Sequence, residues 1–166
     1  MLSFTQFLNE APISFQRGDV ISYGRTHHYN YSFNHRNREF KVTVHHADPR
    51  RPVANVEFSS HIPGSNDGGV IDLTGEHGNH AAKILSTVHN IVKHHIKDHP
   101  QIQNVVFTSD ADEPSRVKLY TRYAEKHGGT TERNEGESEY THSIPASAYH
   151  SRINESFLPL TEAGDF

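Results

Sequence analysis

The chain of 166 residues contains no cysteine. That removes disulfide staples, a thiolate nucleophile and any cysteine-ligated zinc site, and leaves nothing that points to an oxidising compartment. Long apolar runs are missing as well. No stretch approaches the roughly 20 apolar residues that a membrane span needs, and the first thirty residues hold no basic segment followed by an apolar one. The expectation is a soluble, cytoplasmic chain with no membrane partner. An excess of positive charge is also absent. Lys plus Arg number 16 against 20 Asp plus Glu, a net charge of −4 with neutral histidines. The basic residues are dispersed, which argues against a nucleic-acid partner.

What the sequence has in abundance is histidine, 15 residues in all. With unperturbed pKa values near ~6.5, these imidazoles reverse the sign of the net charge between about pH 7.5 and about pH 5.5. A chain of this length fits one domain and buries roughly 68–70% of the surface its unfolded form exposes. The expectation is therefore a single domain over residues 1–166 that needs no metal or disulfide to stand.

Residues 1–12, "MLSFTQFLNEAP", have the pattern of a short amphipathic helix. Ser3 and Gln6 stand at capping-box spacing, Phe4, Phe7 and Leu8 share one face, and Pro12 ends it. Period-two alternation marks strands in "HHYNYSF", "REFKVTVHHA" and "VANVEFSSH", with "NHRN" as a hairpin connection and "DPRRP" as a turn. A short strand, "VIDL" at 70–73, runs into "TGEHGNH". Residues 81–99 place Ile84, Leu85, Val88, Ile91, Val92 and Ile96 at helical spacing before Pro100. The apolar run "NVVFTS" at 104–109 reads as a strand, and a helix follows it with Pro114 in its first turn and Gly128 and Gly129 at its end. "GTTERNEGE" reads as a polar loop and "SEYTHSIPA" as a last strand, while 147–166 have no clear period and form a C-terminal extension. The fold class is a mixed α/β sheet: antiparallel N-terminal strands, then a strand–loop–helix–strand–helix–strand unit. Its strands at 70–73 and 104–109 should be parallel across helix 81–99.

A strand that passes through a Gly-containing turn into a helix presents unpaired N–H groups and the positive end of the helix dipole, a place for phosphate. "TGEHGNH", with Gly75 and Gly78, is such a turn. From these residues alone an ordinary turn that binds nothing stays equally open. His95 and His99 stand at i, i+4, a spacing that can hold zinc, but the sequence shows neither the glutamate of H-E-x-x-H nor a third ligand. His27–His28 and His45–His46 lie in strands, where neighbours point to opposite faces, so neither pair chelates as a unit. No metal is expected. Arg116 sits in the first turn of its helix, where its charge opposes the dipole by a few tenths of a kcal/mol. Glu113, Asp112 or a bound phosphate would offset it.

The order strand, glycine loop, long helix, strand and a second helix with "KLY" resembles the second half of the GNAT superfamily of N-acetyltransferases. "TGEHGNHAAKILSTV" and "FTSDADEPSRVKLYTRYA" resemble, more closely, GNAT-like proteins of tailed bacteriophages, a likeness that covers roughly residues 70–129. The resemblance implies a GNAT-like fold that binds acetyl-coenzyme A, with the pyrophosphate on Leu73, Thr74, Gly75, His77, Gly78, Asn79, His80 and Ala81 and with Arg116 close by. Gly75 stands where the superfamily has Gln or Arg, and His80 where it has Gly or Ala; protonated His77 and His80 are candidates to replace the missing Arg. Leu119 and Tyr120 match the family's Leu-Tyr pair, which implies Tyr120 as general acid; a plain place in the apolar stripe with Val117 and Ala124 stays open. Asp72 and Glu57 are the candidate bases, and a surface or ion-pair role stays open for each. The implied activity is transfer of an acetyl group to the amine of an unknown acceptor, in the cytoplasm of an infected host. The alternative is a non-catalytic phage protein of the same fold, carried in the virion or directed at a host protein.

Overall fold

Alternation of apolar and polar residues in the first third of the chain produces a run of antiparallel strands. In the computed structural model, which describes residues 12–46, 52–61, 81–133 and 135–150, they are β1 (Gln16–Tyr23), β2 (Thr26–His35), β3 (Arg38–His46) and β4 (Val53–His61). The strands expected from alternation are present, and β1 precedes them. Every residue of β1 is exposed, so burial imposes no pattern on it. It forms by pairing with β2 across a two-residue turn whose Gly24 has φ 61°. The β2–β3 turn falls within the expected "NHRN": Arg36 and Asn37 have φ of 49° and 60°, the two positive values that match strand twist in a tight hairpin.

The second part contributes α1 (Ala81–Asp98), β5 (Asn104–Asp110), α2 (Pro114–Lys126), β6 (Thr130–Arg133), β7 (Glu139–Pro145) and a 3-10 turn, Ala146–Tyr149. The seven strands form one sheet in the order β1-β2-β3-β4-β5-β7-β6. Among them β4 and β5 form the one parallel pair. The expected parallel partner of 104–109 was 70–73, which lies outside the described residues. Among the described strands β5 has the neighbours β4 and β7. The crossover that a parallel pair demands thus leads from β4 to β5 by way of α1. The expected polar loop 129–137 contains β6, which pairs with β7 from Thr130↔Ser143 to Arg133↔Tyr140. As the last strand of the sheet, β6 tolerates a polar sequence. The expected helix at 1–12 and the loop at 74–80 also lie outside the described residues, Pro12 excepted. In the C-terminal extension Tyr149 is fully buried, and residues from 151 on are not described.

Register places Tyr31, Phe33, Phe40, Val42, Val44, Val56, Phe107 and Ile144 on one face of the sheet, and all are buried. Both helices cover that face: Tyr31 bonds α1 through His95, and Tyr120 of α2 packs on Phe58 and Phe107. The other face carries Lys41, Thr43, Glu57 and Thr108, none of them buried. Twelve residues of α1 are buried, including Thr87 and His89, so it is enclosed well beyond its apolar stripe. Thr87 Oγ1 donates to Lys83 O at 2.7 Å and accepts from Ile13 N at 2.9 Å, which holds the segment before β1 across the helix. Among the described residues no helix is long and apolar enough to cross a membrane.

The two glycines after α2 differ in role. Gly128 has φ 74°, the left-handed conformation of a helix C-cap. Gly129 is where the chain passes directly over β7, and a β-carbon there would overlap Ser143 O and approach Ala124 O at 3.1 Å. Gly128→Ala should therefore cost about 1–2 kcal/mol of strain. Gly129→Ala should cost more, because backbone must shift to admit the methyl. Urea unfolding of both variants checks the order, and an equal loss would contradict this account.

Candidate functional site where strands 4 and 5 diverge

Parallel β4 and β5 pair over four residues, from Val53↔Asn104 to Val56↔Phe107. Both strands continue, β4 to His61 and β5 to Asp110. Their outer edges stay paired to the end, β4 with β3 at His61↔Glu39 and β5 with β7 at Asp110↔Glu139. Among the described residues nothing pairs with the inner edges beyond Val56 and Phe107. Among the described strands the sheet therefore opens at the carboxyl ends of the parallel pair, the end at which open α/β sheets take ligands. Among the described residues the backbone N–H and C=O groups along these inner edges have no strand partner, and a ligand could pair with them.

The side chains around it come from four elements. Tyr120, at the second turn of α2, spans the opening on the helix side. Its ring lies 5.9 Å from Phe58 of β4, 5.9 Å from Phe107 of β5 and 5.5 Å from His142 of β7. It is 5% exposed. Burial, the largest influence, raises its hydroxyl well above the usual tyrosine range; Arg116 lowers it and Glu113 raises it further. The phenol is a donor at every physiological pH and never a base. Glu57 is the first β4 residue past the last pair with β5, and alternation turns it to the helix-free face. Its side chain is 71% exposed, and Oε1 lies 3.3 Å from His45 Nε2. A carboxylate on one face of the sheet and a phenol on the other thus flank the same opening.

The remaining expected site residues divide in two. Asp72, Leu73, Thr74, Gly75, His77, Gly78, Asn79 and His80 lie outside the described residues. Ala81 is the buried first residue of α1. The guanidinium of Arg116 stands 2.9 Å from the Glu113 carboxylate, the offset for its unfavourable place in the first turn.

Several buried histidines carried no signal in the sequence. His142 is fully buried and bonded through both ring nitrogens, Nε2 to Ser109 Oγ at 2.7 Å and Nδ1 to Thr131 Oγ1 at 2.9 Å, so it joins β5, β6 and β7. His89 Nδ1 bonds Tyr123 Oη at 2.7 Å, and Tyr123 Oη lies 3.2 Å from Tyr149 Oη. This chain links α1, α2 and the 3-10 turn. At the far end of β4 from the opening, His46, His95 and His99 place their ligating nitrogens within 4.8 Å of one another. The third imidazole that the sequence does not show beside His95 and His99 is that of His46. Alternation along β3 does send His45 and His46 to opposite faces, and that is what carries His46 under α1. Burial first, then neighbouring imidazoles with His99 foremost, hold His46 at about 4 and His95 at about 3.

No family model matches the chain, and neither a curated protein nor a solved structure matches it.

The buried imidazoles set a pH limit on the fold. Burial, then His127 and Lys93, lowers His89 to about 3; burial, then Lys126, lowers His127 to about 4; burial alone lowers His142 to about 4. Below the ordinary value of 6.5 the unfolded chain takes up protons that the folded chain refuses, so acid favours unfolding. Their stabilisation is complete above 6.5 and is lost as the pH falls toward about 4. The urea midpoint should therefore drop steeply between about pH 6.5 and about pH 4, and His142→Gln should flatten that slope. A midpoint that stays level over this range would refute the assignment.

Proposed function

We propose that the chain is a GNAT-like acyltransferase that holds a coenzyme A thioester in the opening between β4 and β5 and transfers its acetyl group to an amine. The observation that carries this reading is the divergence of the two parallel strands over Tyr120, the tyrosine of the Leu-Tyr pair. An extended, amide-bearing thioester arm fits the unpaired strand edges as an added strand would. The apolar rings of Phe58 and Phe107 suit its hydrocarbon parts.

In the reaction the amine nitrogen attacks the thioester carbonyl, a C–N bond forms, the C–S bond breaks, and the amine proton must leave. Backbone N–H groups of β4 past Val56 are the available donors to the carbonyl oxygen as it gains charge. Glu57, on the open face, is the acceptor for the amine proton, directly or through water. Tyr120 is the donor to the departing sulfur. Its raised pKa makes it a strong holder of its proton, so its contribution is a hydrogen bond to sulfur more than full proton transfer. The acceptor amine approaches from the helix-free face, where Glu57 stands exposed. A cytoplasmic, phage-encoded protein acting in an infected host is the setting this reading takes from the sequence.

The second reading, a non-catalytic phage protein of the same fold that binds a phage or host protein, draws on two observations. Tyr120 is almost wholly enclosed, and the charge of Arg116 is matched by Glu113. Calorimetric titration with acetyl-coenzyme A at about pH 7.5 separates the two. The acyltransferase reading expects micromolar binding, about −8 kcal/mol, and thioester cleavage with added amines. Glu57→Gln should lower kcat by about 10²-fold or more with little change in coenzyme affinity, and Tyr120→Phe should lower it without unfolding the chain. Absence of binding at millimolar ligand would overturn this reading in favour of the second.

A further inference from the structure

The strongest unexplained constellation lies at the other end of the sheet. His46 is the last residue of β3, His95 stands in the final turn of α1, and His99 follows the helix by one residue. The amide of His99 still donates to His95 O at 3.0 Å, so helical geometry holds through His99 and both imidazoles remain on one face. Ring centroids are 4.3 Å apart for His95 and His99, 5.3 Å for His46 and His95, and 5.1 Å for His46 and His99. The phenol ring of Tyr29 touches all three. It stacks on His46 at 5.1 Å and meets His95 and His99 edge to face, each at 4.7 Å.

Two features turn proximity into a site. His46 Nε2 and His95 Nε2 are buried with no hydrogen-bond partner among the described residues, although buried polar atoms are normally paired. His127 Nε2 shares that condition, but it belongs to no convergent set of three. In addition, His95 Nδ1 lies 2.7 Å from Tyr31 Oη. A metal-ligating histidine typically gives its second ring N–H to such an oxygen, which fixes the tautomer and leaves the other nitrogen to the metal.

We propose that His46, His95 and His99 form a three-imidazole site for a divalent transition ion of the zinc class, with Tyr31 orienting His95. Three histidines around tetrahedral zinc at about 2.0–2.1 Å per bond stand roughly 3.3 Å apart, nitrogen to nitrogen. The observed limit of 4.8 Å closes to that by small rotations of three rings already in contact. The set contains imidazole alone, which suits zinc, copper, nickel and cobalt and disfavours magnesium and calcium. The neighbouring carboxylate of Asp98 is engaged by Arg17 at 2.9 Å, so the described donors number three, which leaves a fourth tetrahedral position to another ligand. The ion would fasten the end of α1 to the end of β3. Nothing in this site depends on the coenzyme reading, because it lies at the opposite end of β4.

The test uses the untagged chain, stripped with a chelator and titrated at about pH 7.5, where imidazole is neutral, with zinc chloride by calorimetry and cobalt chloride by visible absorption. The expected result is one equivalent of zinc at micromolar affinity or tighter, tetrahedral cobalt bands, and a zinc-dependent rise in Tm. His99→Gln, at a partly exposed position, and His46→Gln should each abolish the cobalt bands, and Tyr31→Phe should weaken zinc binding by about 10–100-fold. His45→Gln, on the opposite face, should leave it unchanged. No saturable zinc binding at about millimolar metal, which leaves at most weak surface affinity, would overturn the proposal. So would binding that survives in folded His99→Gln.

Discussion

Everything in this fold leans on the burial of α1 against one face of the sheet. Its stripe of Ile84, Leu85, Val88, Ile91, Val92 and Ile96 is fully or almost fully enclosed, and removal of that apolar surface from water is the main force available to hold it there. A helix seated between two parallel strands must lie on one face and run antiparallel to them. That placement puts the start of α1 near the carboxyl ends of β4 and β5 and its end near the close of β3. The two ends of the helix thus serve two different neighbourhoods, the opening over Tyr120 and the cluster under Tyr29.

The buried imidazoles follow from the same enclosure. Because α1 is covered beyond its stripe, His89 and His95 lie in the interior with their charged forms disfavoured. Each is tied to a tyrosine, His89 to Tyr123 and His95 to Tyr31, so the polar interior is organised as His–Tyr pairs spanning separate elements. Such pairs specify which element sits against which, since an alternative packing would leave both partners unsatisfied. His142 does the same for the three C-terminal strands. The helix-free face is built differently: there His28 stacks on His45 at 5.0 Å, and His45 meets Glu57, in a polar ladder open to solvent.

Helix 81–98, β2 to β4, β5, α2 and β7 were legible in the sequence because each carries its own period. Ile84, Leu85 and Val88 announce a buried helical stripe by spacing alone, and Phe40, Val42 and Val44 announce a half-buried strand. β1 and β6 were not legible, since strands that bury little need no alternation and exist by pairing with a neighbour. Within the candidate site, Tyr120 and Glu57 could be named from the sequence. Their position on opposite faces of one opening could not, because it depends on which strand β5 takes as its parallel neighbour.

The sequence by itself determined the elements that carry their own period and the face each of their residues occupies, including the alternation that separates His45 from His46. Only the tertiary structure decided that His46 meets His95 and His99, that β4 and β5 part after four pairs, and that Arg116 meets Glu113. The physical reason is range. Period and turn chemistry act between residues a few positions apart, whereas strand order, register and helix seating are set by burial of a whole face at once.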